Sequence, residues 1–140
     1  MKRILALTLA AMMLFSCILT LSACRDSIVE KEEESFPNSD PQKASEALKK
    51  KEYNVVFIDK GLPEGYAASL EAVKGQNFIL ITYYSDETLL ETEWLGIQGS
   101  LEAIKSNHAS IVGIEAEDVI IKKHEKMVYI ATNQAIKDTQ

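Results

Sequence analysis

Two cysteines, two histidines and a few clustered carboxylates are the side chains of this 140-residue sequence whose types lend themselves to chemistry near neutral pH. His108 stands close in sequence to Glu115, Glu117 and Asp118, a nitrogen and oxygen donor set that would suit an accessory metal site. His124 is followed by Glu125, but the second histidine of a His-Glu-x-x-His zinc helix would fall at position 128, which is Val128. A zincin is therefore excluded. Ser100 follows Gly99 without the Gly-x-Ser-x-Gly frame of a nucleophile elbow. Neither Gly61 to Gly65 nor Gly96 to Gly99 has the length or the Lys-Ser/Thr ending of a phosphate loop. Paired carboxylates can serve a glycosidase, but their separation is not written in a sequence, and a deep cleft is hard to build in about 100 folded residues. The chain thus reads as a non-enzyme with no cofactor. The alternative from another class is a small metal-binding or hydrolytic accessory protein using His108 and its neighbouring carboxylates. Among the aromatics, Trp94 falls on an apolar helical stripe and reads as core, whereas Tyr53 and Tyr66, at or before strand starts, are the better surface candidates for stacking on sugars.

The cysteines carry a different message. Lys2 and Arg3 precede an uncharged, mostly apolar run from Ile4 to Ala23, the layout of a bacterial export signal whose charges stay in the cytoplasm. The run ends in Leu21-Ser22-Ala23-Cys24, which resembles the lipobox of bacterial lipoproteins: an aliphatic residue, two small residues and a cysteine. The resemblance covers residues 1–24. It implies a diacylglycerol on the thiol of Cys24, signal-peptidase cleavage between Ala23 and Cys24, and an amino terminus open to a further acyl group such as palmitate. Each buried methylene contributes about 0.8 kcal/mol, so one acyl chain binds marginally and two or three hold firmly. Cys24 is then the lipid attachment point, and the expected location is the extracytoplasmic side of the cell membrane. Two other readings stay open. Cys17 is preceded by Leu14-Phe15-Ser16, where bulky Phe15 departs from the small-residue pattern. An uncut apolar run of about 20 residues can also span a bilayer. Either would leave the remaining chain tethered outside the cytoplasm. After cleavage no second thiol accompanies Cys24, so neither a disulfide nor a thiolate metal site can be drawn, and the domain must hold together by packing.

Charge narrows the partners. The net charge is −6, and because two of the 15 basic residues and none of the 21 acidic ones lie in residues 1–23, the other 117 residues carry −8. An acidic chain with a pI near 5.0 is a poor ligand for nucleic acid or for anionic lipid surfaces. Three regions follow: a lipoprotein signal peptide (1–23), an acidic tether (24–40) and one small domain (41–140). The tether, with its charge-dense stretch from Arg25 to Asp40, reads as a flexible spacer whose ends lie roughly 20–25 Å apart as a coil.

Asp40-Pro41 marks a helix start, with a cap acceptor followed by proline where a missing N–H costs nothing; this helix should run to about Lys51. Tyr53 to Ile58, Ala68 to Val73 and Asn77 to Tyr84 read as strands, the last two joined through Lys74-Gly75-Gln76. Ser85-Asp86 opens a long helix in which Leu90, Trp94, Ile97, Leu101 and Ile104 step by helical spacing along one face. Gly96 and Gly99 should kink it or admit a close contact, and it should stop near Asn107, leaving His108 just beyond. Asp118 to Lys122 and Met127 to Thr132 form a second hairpin, turned by Lys123 to Lys126, and Asn133 caps a short closing helix. The expected fold is α+β: a mostly antiparallel sheet of about five strands, a long central helix and two short flanking helices. The C-terminal pattern, Val128-Tyr129-Ile130-Ala131-Thr132 into Ala135-Ile136, is similar to that of small uncharacterised lipoproteins of low-GC Gram-positive bacteria, and this similarity implies no activity.

A sheet with one wet face alternates apolar and polar residues. Here Val55 and Phe57 are opposed by Val56 and Ile58, Phe78 and Leu80 by Ile79 and Ile81, and Val119 and Ile121 by Ile120. Both faces are apolar. Either three layers complete the packing within the chain, or one face is left partly open for a protein partner or a homodimer.

Overall fold

The computed structural model describes residues 34–140; the expected signal peptide, the cleavage site at Ala23 and Cys24, and most of the tether lie outside the described residues. Helix α1 (Pro41–Lys50) starts where its chemistry demands. The Asp40 carboxylate accepts the N–H groups of Gln42 (3.0 Å) and Lys43 (3.2 Å), and Lys49 and Lys50 sit at the negative end of the dipole. Strands β1 (Asn54–Ile58), β2 (Tyr66–Lys74) and β3 (Asn77–Tyr84) follow. Then come α2 (Glu87–Gln98), α3 (Leu101–Val112), a 3-10 turn (Ala116–Asp118), β4 (Val119–His124), β5 (Met127–Thr132) and α4 (Asn133–Lys137). Asn133, expected as a cap, is the first residue of α4, and Thr132 takes the cap position. The fold is α+β, with a five-stranded sheet in the order β1-β2-β3-β5-β4 whose neighbours all pair antiparallel. The second hairpin is tighter than its sequence suggests: β4 continues through Lys123 and His124, and Glu125 adopts φ 51° to turn the chain with Lys126.

Each apolar face of the sheet has its own cover, giving three layers. On the first face, Leu70, Ile79, Ile81, Met127 and Tyr129 pack with Ala44 and Leu48 of α1 and with Ala135 and Ile136 of α4. On the second, Phe78, Val119 and Ile121 meet Trp94 and Ile97 of α2 and Leu101, Ile104 and Ala109 of α3, while Leu90 joins Tyr84 and Val128. The five stripe residues therefore share the sheet-facing side, as their spacing predicts.

The single long helix is in fact two. Gly99 N–H still reaches Leu95 O (3.3 Å), but Ser100 N–H turns back to Ile97 O (2.9 Å), and the α-ladder resumes with Ile104 N–H on Ser100 O (3.0 Å). A straight helix from Glu87 to Val112 would measure about 39 Å, against about 27 Å for the eight residues of β3. The break lets one half lie on the Tyr84 end of β3 and the other on its Phe78 end. The second half runs past Asn107 to Val112 and closes on Gly113 at φ 75°. His108 thus lies inside α3 rather than beyond it.

The ordered domain also begins before Pro41. Phe36 stacks on His124 (centroids 3.8 Å apart, planes at 7°), and Pro37 is buried. Asn38 N–H donates to Thr139 Oγ1 (3.0 Å), Tyr83 Oη donates to Asn38 O (2.9 Å), and Gln140 Nε2 donates to Phe36 O (2.8 Å). The last residues expected in the spacer are thereby stitched to the C-terminus, because Phe36 and Pro37 offer apolar surface that the surrounding charge obscures.

One buried group is poorly placed. Ser45 of α1 is 2 % exposed and its Oγ has no hydrogen-bond partner. An unpaired buried hydroxyl costs about 1–3 kcal/mol, and alanine is the better helix former. Ser45→Ala is expected to stabilise the domain by about 1 kcal/mol, read as a higher urea midpoint at unchanged slope. A lower midpoint would show that the hydroxyl is satisfied.

Candidate functional site

A helix about 10 Å wide covers roughly two strands spaced about 4.8 Å apart, so a single bent helical rod cannot cover five. The α2–α3 rod packs on β3, β5 and β4 and reaches β2 only near its two ends, at Tyr66 and Val73, so the middle of β2 and the second face of β1 are left uncovered. There Val56 is 59 % exposed and Ile58 45 % exposed. Glu71 and Ser69 stand opposite them in register on β2, followed by half-buried Leu80 and Thr82 on β3. Along β1 exposure alternates: Asn54, Val56 and Ile58 are exposed, while Val55 and Phe57 are half-buried against the first-face core.

Two carboxylates set the position of α2 beside this strip. Glu93 accepts hydrogen bonds from Tyr66 at the start of β2 and from Tyr84 at the end of β3 (2.5 Å). Glu91 pairs with Lys123 of β4 (2.5 Å) on the opposite flank. Burial, then the hydrogen bond and charge of Glu93, push the Tyr84 hydroxyl above the ordinary tyrosine range. For Tyr66 the hydrogen bond to Glu93 leads, and burial follows. With each of its oxygens accepting from a phenol, Glu93 braces the helix and is not poised as a base. The strip is thus apolar at β1, with Ser69 and Glu71 of β2 lying between it and half-buried Leu80 and Thr82 of β3.

The residues singled out in the sequence are dispersed. His108 Nδ1 lies 2.8 Å from Ile104 O and must donate there, and its ring stacks on Phe78 in the second face. His124 stacks on Phe36, over the first face. The two histidines therefore sit on opposite sides of the sheet. Glu115, Glu117 and Asp118 are exposed around the 3-10 turn, and among the described residues no group of three or more His, Cys, Asp or Glu is arranged to hold a metal. The alternative site built on His108 is not brought together. Trp94 is half-buried against the sheet. Tyr53, expected at the surface, is 6 % exposed and donates to Asp138 Oδ2 (2.8 Å); its i−5 neighbour Leu48 supplies the backbone acceptor that turns it inward. Tyr66 is half-buried at the Glu93 brace.

A cavity of about 480 Å³ opens at the end of the sheet, lined by Ser39, Ala67, Tyr83, Tyr84, Lys126 and Met127 among others. Its two phenols are already committed, Tyr83 to Asn38 O and Tyr84 to Glu93. Among the described residues no helix is long and apolar enough to cross a membrane. What sequence reading missed is the strip itself and the Tyr66–Tyr84–Glu93 brace. The exposed second face of β1 was visible only as unbroken apolar alternation. Comparison with protein-family models, with curated proteins and with solved structures finds no match for this chain.

Proposed function

We propose that this chain is a lipid-anchored envelope protein whose domain acts by contact with protein on the extracytoplasmic side of the membrane, without a catalytic role. Contact is carried by one observation: Val56 and Ile58 stand exposed on an uncovered part of the sheet, in a strand with a single neighbour. Burying a valine or isoleucine side chain contributes about 1.5–3 kcal/mol, so two left outside the core represent forgone stability that a partner would recover. The anchor rests on Leu21-Ser22-Ala23-Cys24 following an apolar run. From Cys24 to Phe36 the extended chain reaches about 40 Å, enough to hold the domain clear of lipid headgroups.

Metabolic labelling with a palmitate analogue tests the anchor. The full chain is expected to incorporate label into the membrane fraction, Cys24→Ser to lose essentially all of it, and Cys17→Ser to keep it. Label persisting in Cys24→Ser, or absent from the unmodified chain, removes the anchor from the reading.

A further inference from the structure

We propose that the cavity at the end of the sheet binds a free apolar amino acid, whose side chain enters an aromatic floor while its two charges stay at a charged rim. This goes beyond protein contact, and no residue of the exposed β1 strip lines the cavity. The site forms where three segments part. β2 starts with a bulge, because Tyr66 pairs with Tyr84 and Ala68 with Tyr83, which leaves Ala67 as the extra residue. The β4–β5 turn passes through Glu125 at φ 51°, and the chain enters α1 at Pro41. Between them about 480 Å³ is left open, within the range of small-molecule pockets.

Floor and rim differ in chemistry. Tyr83, Tyr84 and Met127 line the floor, and each is no more than 5 % exposed. Because both phenol hydroxyls are committed elsewhere, these residues offer rings and a thioether, which suit an apolar or aromatic side chain. Exposed Ser39, Glu125 and Lys126 form the rim. Among the described residues the Lys126 ammonium and the Ser39 hydroxyl have no partner, and Glu125 has only His124 Nε2 at 3.9 Å, beyond hydrogen-bond reach. The rim is fixed before a ligand arrives. Tyr84 N–H donates to Lys126 O (2.8 Å), and Ser39 lies between Asn38, held by Thr139 and Tyr83, and Asp40, which caps α1. One carboxylate and one ammonium at the same mouth select a ligand that bears both charges. An α-amino acid carries them on one carbon, so its ammonium can face Glu125 while its carboxylate faces Lys126 and Ser39. A simple acid, a simple amine or a peptide terminus leaves one rim charge unmatched, and the two acyl chains of a zwitterionic phospholipid exceed the volume.

Heteronuclear NMR of the full chain in mild detergent, titrated with L-phenylalanine, tests this. Saturable shifts are expected at the amides of Ala67, Tyr84 and Lys126. Hydrocinnamate, which lacks the ammonium, and phenethylamine, which lacks the carboxylate, should each bind about fivefold more weakly, the upper range for an exposed ion pair. Lys126→Gln should remove the advantage of L-phenylalanine over the amine and keep its advantage over the acid. Glu125→Gln should do the reverse. A merely structural role for either residue would not produce this crossover. Both residues are exposed, and the ligand-free spectrum of each variant reports its fold. The site is overturned if L-phenylalanine gives no saturable shift, shifts residues away from the cavity, binds no tighter than either analogue, or loses the same affinity in both variants as the analogues do. Acyl labelling of Cys24 reports the anchor separately, so the two readings can fail independently.

Discussion

Gly65→Ala is expected to destabilise the domain by about 3 kcal/mol, enough to lower the melting temperature of a domain this size by more than 10 °C. Gly65 is buried at φ 95°, where a side chain is strained whatever the available space. Space is also lacking: a Cβ there would lie 2.6 Å from Leu89 Cδ2 and 3.5 Å from Asp86 Cβ. Backbone retreat is blocked because Gly65 O accepts the N–H groups of Ser85 (2.9 Å) and Asp86 (3.2 Å), and Asp86 in turn caps α2 through Thr88 (2.8 Å) and Leu89 (3.2 Å). The loop after β1 therefore seats the helix that borders the open strip. Gly75→Ala is the control. Gly75 also has positive φ, 59°, but an added Cβ meets nothing within 4 Å, so only the conformational penalty of about 1 kcal/mol is expected. Urea unfolding of both variants separates sterics from backbone strain. Equal losses would mean that Leu89 swings aside freely and that Gly65 does not seat α2.

Local chemistry was legible where one short stretch holds all the partners. Asp40 and Asp86 cap helices through N–H groups two and three residues away, and the Leu90-to-Ile104 stripe requires only helical spacing. The break at Gly99-Ser100 was half legible. Two glycines signalled it, but its place follows from the length of the sheet beneath, which is a tertiary property. Phe36 was hidden because its partners, His124 and Gln140, lie near the other end of the chain. The same holds for the brace: Tyr66, Tyr84 and Glu93 meet only after β2, β3 and α2 are assembled. The candidate strip belongs to this second class. That Val56 lies at an edge depends on β5 pairing with β3 and not with β1, a pairing across about 50 residues that no local pattern encodes. Reading both strand faces as apolar was sound; which half would remain uncovered depended on how many helices reached each face.

Raising the pH above about 10 is expected to unfold the domain cooperatively rather than to titrate its tyrosines one at a time. Three buried phenols are held neutral beyond the ordinary range. Tyr53 is pushed up by burial first and then by the hydrogen bond and charge of Asp138, Tyr83 by burial and then by the charge of Asp40, and Tyr84 by burial and then by Glu93. The sign follows from proton binding. With the folded-state pKa above the unfolded one, the folded chain binds more protons between the two, so stability falls as pH rises through that interval. Below the unfolded tyrosine range, near pH 10, these groups leave stability unchanged. Above it, each contributes a slope of at most about 1.4 kcal/mol per pH unit, roughly 4 for three together. A domain stable by about 5–10 kcal/mol is then lost within two to three pH units. Tyrosinate absorbance and far-ultraviolet circular dichroism should change in one coincident step. In Tyr84→Phe, which keeps the ring and removes the ionisable hydroxyl, the alkaline limb should flatten by about one third. Tyrosinate absorbance rising smoothly around pH 10 with the dichroism intact would mean that these hydroxyls reach water in the native domain, and the packing of both sheet faces would need revision.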